Sequence, residues 1–132
     1  MNMLFVREDI DQLVTKNYAH HNTRKSFREA MLKDLAQLAA KYGLTGMQRY
    51  RDDTSGTGID VGWQDQEGHL VLAIEIDNSL RSRSVEKLAS LPDHVERVWL
   101  CYSPKEIDVQ AYEDNVNGVV MKYELGFGRR EG

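Results

Sequence analysis

The first third of the chain carries apolar residues at helical spacing, and this pattern predicts two helices. The first is expected over residues 8–18. The second is expected from about residue 26 to 41, with Asn22 or Thr23 as its N-cap and Gly43 at its end. The apolar positions of the second helix form one stripe, which consists of Phe27, Met31, Leu35, Leu38 and Tyr42. The stripe predicts that this helix packs on the rest of the domain.

The middle of the chain changes to the alternation that is typical of strands. Strands are predicted at 46–51, 59–64 and 69–77, with a loop at 52–58 and a hairpin turn at 65–68. The second strand should direct one set of side chains to one face, namely Ile59, Val61 and Trp63. The third strand has apolar residues on both faces: Leu70, Leu72, Ile74 and Ile76 on one, and Val71 and Ala73, followed by Glu75 and Asp77, on the other. It is therefore expected to be a central strand that is covered on both sides.

The last third of the chain predicts a parallel β-α-β unit. A helix at 83–91 precedes a strand at 95–102, and a helix at 105–113 precedes a strand at 119–125. Residues 126–132 are expected to form a flexible tail. The whole chain, residues 1–132, is thus interpreted as a single α/β domain, with residues 1–22 as an N-terminal helical extension. Its expected architecture is a mixed central β-sheet flanked by helices.

Composition narrows the class of protein. The chain has 132 residues, of which 41% are hydrophobic and 29% charged, as in globular domains. Its single cysteine, Cys101, excludes an internal disulfide framework and a cysteine-based zinc site. The opening is too short for a signal peptide, and no segment approaches the roughly 20 apolar residues of a membrane span. We therefore expect a cytoplasmic protein without a membrane partner.

Charge is unevenly distributed along the chain. The formal net charge of −4 gives no general attraction to nucleic acid. Basic residues nevertheless dominate between residues 16 and 33, where Glu29 is the only acid before residue 34. Within this segment Arg24, Lys25 and Arg28 are predicted to contact phosphates, which provide affinity without sequence information. An ordinary solvated helix face remains the alternative.

Three carboxylates enter strands that are otherwise apolar. Asp60 lies in the second predicted strand, and Glu75 and Asp77 end the third. Neighbouring strands can bring such groups within a few ångströms, where unpaired carboxylates repel each other and are costly to bury. A divalent cation such as Mg²⁺ or Mn²⁺ would relieve both costs. The same acids could instead cap strand ends and form ion pairs, for which Arg81, Arg83 and Lys87 are available. The residues alone leave both interpretations open.

Two short segments and the order of elements around them resemble a known family. Gly58-Ile59-Asp60-Val61 and Ala73-Ile74-Glu75-Ile76-Asp77 are similar to the two motif strands of the PD-(D/E)XK, or restriction-endonuclease-like, nuclease superfamily. The likeness covers roughly residues 26–102. It implies a restriction-endonuclease-like core and Mg²⁺- or Mn²⁺-dependent hydrolysis of phosphodiester bonds. It also implies metal ligation by Asp60, by Glu75 and by the carbonyl of Ile76, with Glu29 as the further acid that some members add.

The sequence departs from the family at one position. Asp77 stands where the family has the lysine that positions or activates the attacking water. Some members carry an acid at this position, and in others the lysine has moved to the following helix. Lys87 occupies the edge of that helix's apolar stripe and would be the replacement. The resemblance therefore implies a catalytic set of Asp60, Glu75, Asp77 and Lys87.

Three functions remain open at this stage. The first is a metal-dependent endonuclease-like domain that hydrolyses DNA, or alternatively RNA. The second is a catalytically inactive nuclease fold that serves as a nucleic-acid-binding or protein-assembly subunit, which the altered motif favours. The third is a protein–protein interaction module, which the negative net charge favours. A homodimer is also predicted, since a domain this small offers little surface to hold a duplex.

Overall fold

The computed structural model describes residues 1–51 and 56–127. The predicted loop at 52–58 and the predicted tail at 126–132 thus lie partly outside the described residues. The helices are α1 (Met3–His20), α2 (Arg24–Leu38), α3 (Ser82–Ala89) and α4 (Val109–Val116), and a 3₁₀ turn at Ala39–Tyr42 extends α2. The strands are β1 (Thr45–Arg51), β2 (Gly58–Gln64), β3 (Leu70–Asp77), β4 (Glu96–Cys101) and β5 (Val119–Lys122).

The five strands form one mixed sheet in the order β1-β2-β3-β4-β5. The first three strands are antiparallel neighbours, whereas β3, β4 and β5 run parallel. Helices α1 and α2 pack on one face through a buried cluster that includes Ile10, Phe27 and Trp63. Helices α3 and α4 cover the other face through a second cluster that includes Leu88 and Trp99. The predicted α/β class, with a mixed central sheet flanked by helices, is confirmed.

The helices begin next to their capping residues, and two of these starts differ from those that the apolar periodicity predicted. Helix α1 begins earlier than predicted because Asn2 accepts a hydrogen bond from the Leu4 N–H at 2.9 Å. Thr23 caps α2, as predicted, through Ser26 N–H at 3.1 Å. Helix α4 begins at residue 109 instead of 105, because Asp108 is its N-cap.

Two apolar residues lie on the face opposite to the predicted one. Leu70 packs with the α3/α4 cluster because the register shifts between Trp63 and Gln64, which reverses its facing relative to Leu72. Ile59 also packs there, whereas Val61 belongs to the α1/α2 cluster. Next to Ile59, the ladder between β1 and β2 is interrupted, because Arg49 and Asp60 are not paired. The backbone of Arg49 has a φ of 52°. Local backbone irregularities thus broke the strict alternation on which the prediction depended.

The end of the chain is more ordered than predicted. Phe127 is 3% exposed and packs edge-on or tilted against Tyr18, Phe27 and Tyr102. The Tyr18 hydroxyl donates to the Gly126 carbonyl at 3.0 Å. The expectation of a flexible tail is therefore wrong for residues 126–127, because an aromatic side chain at the end of the described chain completes the core.

Helix α2 is held firmly on the sheet, which fixes the side chains that it presents to β2 and β3. The indole N–H of Trp63 donates to the Leu35 carbonyl at 3.0 Å. A Cβ at Gly46 would lie 1.9 Å from the Ala36 carbonyl oxygen, so β1 and α2 approach more closely than any side chain would allow. None of the described helices is long and apolar enough to cross a lipid bilayer.

Candidate active site

The candidate site lies where β2 and β3 separate. The ladder between these strands ends at the pair Val61 and Ile74. Beyond this pair, two carboxylate side chains, and not backbone carbonyls, accept the hydrogen bonds between the strands. Glu75 Oε2 accepts a hydrogen bond from the Asp60 N–H at 3.0 Å, and Asp60 Oδ2 accepts one from the Ile76 N–H at 2.9 Å. The two carboxylates are thus inserted between the strands and fixed by reciprocal contacts, which places them side by side.

Glu75 is a strongly perturbed acid. It is 1% exposed, and the pKa of its carboxyl is raised to about 7. Burial is the largest cause of this rise and the neighbouring Asp60 contributes to it, whereas the Lys87 ammonium opposes it. The Asp60 side chain keeps 24% of its surface exposed, so the pair has one buried member and one that solvent or a ligand can reach. Perturbed acids of this kind are concentrated at functional sites.

Two cations reach the carboxylates from opposite faces of the sheet. From α3, the Lys87 ammonium lies 2.5 Å from Glu75 Oε1 and donates to the Gly58 carbonyl at 3.0 Å. From α2, Nη2 of Arg28 lies 3.2 Å from Asp60 Oδ1 and donates to the Ile76 carbonyl at 3.5 Å. Each of the two carboxylates therefore has one cation of the protein beside it.

Three oxygens of this site could act as ligands of a divalent cation. Asp60 Oδ1, Glu75 Oε1 and the Ile76 carbonyl are hard donors of the kind that Mg²⁺ and Mn²⁺ prefer. Glu75 Oε1 is buried and, although it is in ion-pair contact with Lys87, has no partner with hydrogen-bond angles among the described residues. Arg28 contacts Asp60 Oδ1 and the Ile76 carbonyl together, so the cation beside these two oxygens in this structure is a guanidinium.

Other predicted site residues lie apart from this pair. Glu29 is exposed on α2, and the part of the chain that the structure describes contains no three-ligand group that joins it to Asp60 and Glu75. Arg24 and Lys25 are exposed at the start of α2. Sequence reasoning placed Arg28 with them as a phosphate contact and missed its contact with Asp60. No sequence signal separated Arg28 from its basic neighbours.

Asp77 has a structural environment of its own. It is 7% exposed, and its Oδ2 accepts a hydrogen bond from the indole N–H of Trp99 at 2.9 Å. Its other carboxylate oxygen lies 4.0 Å from Nε of Arg81. These contacts join β3 to β4 and to the segment before α3. They account for an acid at this position without a role in metal binding.

Replacing Asp77 by alanine is expected to lower stability and to spare metal binding. The change leaves the buried indole N–H of Trp99 without its acceptor, which costs about 1–3 kcal/mol of unfolding free energy. Urea denaturation followed by tryptophan fluorescence measures this loss, and an Mn²⁺ titration measures the metal. Asp77→Asn is the control, since it keeps an acceptor for Trp99 and should recover much of the stability. A large loss of Mn²⁺ affinity in both variants would make Asp77 a ligand.

A second acidic group lies on the hairpin between β2 and β3. Ligand atoms of Asp65, Glu67 and His69 lie within 4.8 Å of one another, so these described residues could hold a metal ion. Nδ1 of His69 lies 3.6 Å from Asp65 Oδ2 and 3.5 Å from Glu67 Oε2. Asp65 also accepts the backbone N–H groups of Glu67 and His69, which closes the turn. The sequence indicated the turn alone.

Comparisons with known proteins identify a fold and no family. No protein-family model and no curated protein matches the chain. A solved structure described as the cryo-EM structure of a DrdV–DNA complex is similar, with a TM-score of 0.50 and 19% identity. The match covers 68% of this chain and 10% of that one, so this chain spans about a tenth of that protein's length. At this identity the similarity concerns the fold alone.

Proposed function

We propose that this domain is a metal-dependent nuclease of the PD-(D/E)XK type that hydrolyses phosphodiester bonds in DNA. The observation that carries the proposal is the pairing of Asp60 with Glu75 at the point where β2 and β3 separate, with Lys87 in contact with Glu75. This chain has Asp77 at the position of the family's lysine on β3, and the contact of the Lys87 ammonium from α3 with Glu75 supports Lys87 as the replacement. That the fold is similar to part of a protein solved in complex with DNA is consistent with this proposal.

Each residue of the site has a separate role in this proposal. Asp60, Glu75 and the Ile76 carbonyl would hold Mg²⁺ or Mn²⁺. When bound, the ion would lower the pKa of a water and offset charge on the phosphodiester. The Lys87 ammonium, fixed by Glu75 and the Gly58 carbonyl, can orient a water and stabilise negative charge that develops on the phosphate. Burial of Glu75 keeps bulk water away from its side of the site.

The function is tested by a cleavage assay on linear, branched and single-stranded DNA and on RNA. Each substrate is incubated with Mg²⁺ and then with Mn²⁺, and chelation of the metal should stop the reaction. Cleavage of DNA is the expected result. Cleavage of RNA alone would correct the substrate class. Binding of nucleic acid without any cleavage would replace the nuclease by a binding subunit.

One observation favours that second candidate, a nuclease fold that binds without cleaving. Arg28 and Lys87 together give each carboxylate a cation from the protein itself. Such a site is electrostatically satisfied without a metal ion, and a binding or assembly subunit needs no more than that. In the nuclease, a metal ion would displace Arg28 from Asp60 Oδ1 and the Ile76 carbonyl. In the binding subunit, Arg28 would stay in contact with them.

Replacing Arg28 by alanine is expected to strengthen Mn²⁺ binding about two- to five-fold. The guanidinium contacts Asp60 Oδ1 and the Ile76 carbonyl, two of the proposed ligands, and a partly exposed ion pair is worth roughly 0.2–1 kcal/mol. Isothermal titration with Mn²⁺ measures the change. Arg24→Ala, which removes an exposed arginine from the same helix, is the control and should leave the affinity unchanged. Equal affinities in wild type and Arg28→Ala would show that Arg28 and the metal do not share these oxygens.

The predicted homodimer remains a prediction. Sedimentation at micromolar concentration tests it, and a single monomeric species would contradict it.

A further inference from the structure

A small cavity lies beside the carboxylate pair, on the side of β1. It has a volume of about 270 Å³, and its described lining includes Arg49, Arg51, Asp60 and Lys87. The cavity thus shares Asp60 and Lys87 with the candidate site. A cavity of this size can take a small molecule or one group of a larger ligand that continues into solvent.

The charges around this cavity favour an anion. Three of its described lining residues are cationic, and its acid, Asp60, is paired with Arg28. Lys87 already forms an ion pair with Glu75 and donates a hydrogen bond to the Gly58 carbonyl. Arg51 donates one N–H to the Gly56 carbonyl at 2.8 Å, which leaves further donors of its fork. The chain as a whole has a formal net charge of −4, so the positive charge around this cavity is a local feature that the overall charge does not predict.

Arg49 is the most available of these cations. It is exposed and has no hydrogen-bond or ion-pair partner within the described ranges 1–51 and 56–127. Its φ of 52° is unusual for a residue with a Cβ. Conformations of this kind cost about 1–3 kcal/mol and are concentrated at functional sites. The irregular backbone lies opposite Asp60, where the pairing of β1 with β2 is interrupted, and the side chain lines the cavity.

We infer that this cavity binds a phosphate of the nucleic-acid backbone next to the bond that is cleaved, with Arg49 and Arg51 as its ligands. The inference rests on the proposed function and specifies where the substrate strand lies. Arginine forks match the geometry of phosphate oxygens. Because β1 is an edge strand, a DNA strand can follow it and reach the carboxylates from that side.

The test is the affinity for labelled duplex DNA, single-stranded DNA and RNA as a function of salt concentration, in chelator, so that cleavage does not interfere. The variant Arg49→Asn/Arg51→Gln removes both charges, and asparagine tolerates a positive φ. It should bind DNA about tenfold more weakly, and its slope of log affinity against log salt should be shallower by about 1–2. Arg49→Lys/Arg51→Lys should recover most of the affinity.

Two controls separate the possible outcomes. Arg7→Gln/Lys105→Gln makes the same change in charge at exposed positions of α1 and of the segment before α4 and should leave most of the affinity in place. An Mn²⁺ titration should be unchanged in the Arg49/Arg51 variant, which shows that the neighbouring site is intact. If the Arg49/Arg51 variant binds nucleic acid as tightly as the wild type does, the inference is wrong and the nuclease proposal still stands. Wild type that binds neither DNA nor RNA in chelator and cleaves neither with Mg²⁺ or Mn²⁺ would overturn both. A salt slope that changes only for RNA would transfer the inference to an RNA strand.

Discussion

Replacing Asp60 by asparagine is expected to abolish metal binding and DNA cleavage together. The amide keeps an oxygen that can accept the Ile76 N–H, so the junction of β2 and β3 is preserved. It removes the negative charge that would hold the ion on the more exposed side of the pair. Because a bound metal ion stabilises the transition state by several kcal/mol, cleavage should fall by roughly 10³-fold or more. Mn²⁺ titration and single-turnover cleavage measure the two effects.

Asp65→Asn is the matched control for this experiment. It makes the same change on the hairpin, in the other acidic group, and its amide oxygen can still close the turn. Cleavage and the functional Mn²⁺ site should be unaffected. If Asp65→Asn removes the metal and Asp60→Asn does not, the ion belongs to the hairpin group and the proposed site is wrong. Normal cleavage by both variants would also contradict the proposal.

Replacing Lys87 by alanine is expected to stop cleavage while metal and DNA binding persist. The ammonium lies 2.5 Å from Glu75 Oε1, so it can act on a water or on developing charge within the site. Groups of this kind contribute about 10²–10⁴-fold to the rate. The loss should appear in kcat more than in KM, because the interaction is stronger in the transition state than in the ground state. Single-turnover rates at saturating Mn²⁺ measure it.

Lys87→Met separates charge from packing. It keeps most of the aliphatic stem that α3 packs near the sheet and removes only the ammonium, so it should be as inactive as Lys87→Ala. Lys33→Ala, at an exposed position of α2, should retain full activity. If Lys87→Met cleaves DNA normally and binds Mn²⁺ normally, Lys87 is only the counter-ion of Glu75. The family lysine would then have no replacement in this chain.

The order of helices and strands along the chain was well predicted from the sequence, and local backbone geometry was not. The apolar run of β3 and the helix after it were enough to predict a central strand and a parallel β3-α3-β4 unit. The predicted faces of Ile59 and Leu70 were wrong, because the interrupted pairing at Asp60 and the register shift after Trp63 do not follow from hydrophobic alternation. Phe127 was assigned to a tail, since one aromatic near a chain end has no periodicity to mark it.

The same limit applies to the candidate site. That Asp60 and Glu75 lie close together follows from charge inside two neighbouring apolar strands, and the structure has them in reciprocal contact. Lys87 was placed near them by its position on the stripe of α3, and its ammonium lies beside Glu75. Their roles remain predictions. Arg28 and Arg49 were missed as neighbours of the site, because their positions depend on how α2 and β1 pack and not on any local pattern.

The most direct test of the metal site is a crystal structure of the protein grown with Mn²⁺, with anomalous diffraction used to locate the ion. We predict an anomalous peak from an ion that Asp60, Glu75 and the Ile76 carbonyl coordinate, with the Arg28 guanidinium moved away from Asp60 Oδ1. An anomalous peak at Asp65, Glu67 and His69 alone, with Arg28 still in contact with Asp60, would contradict it.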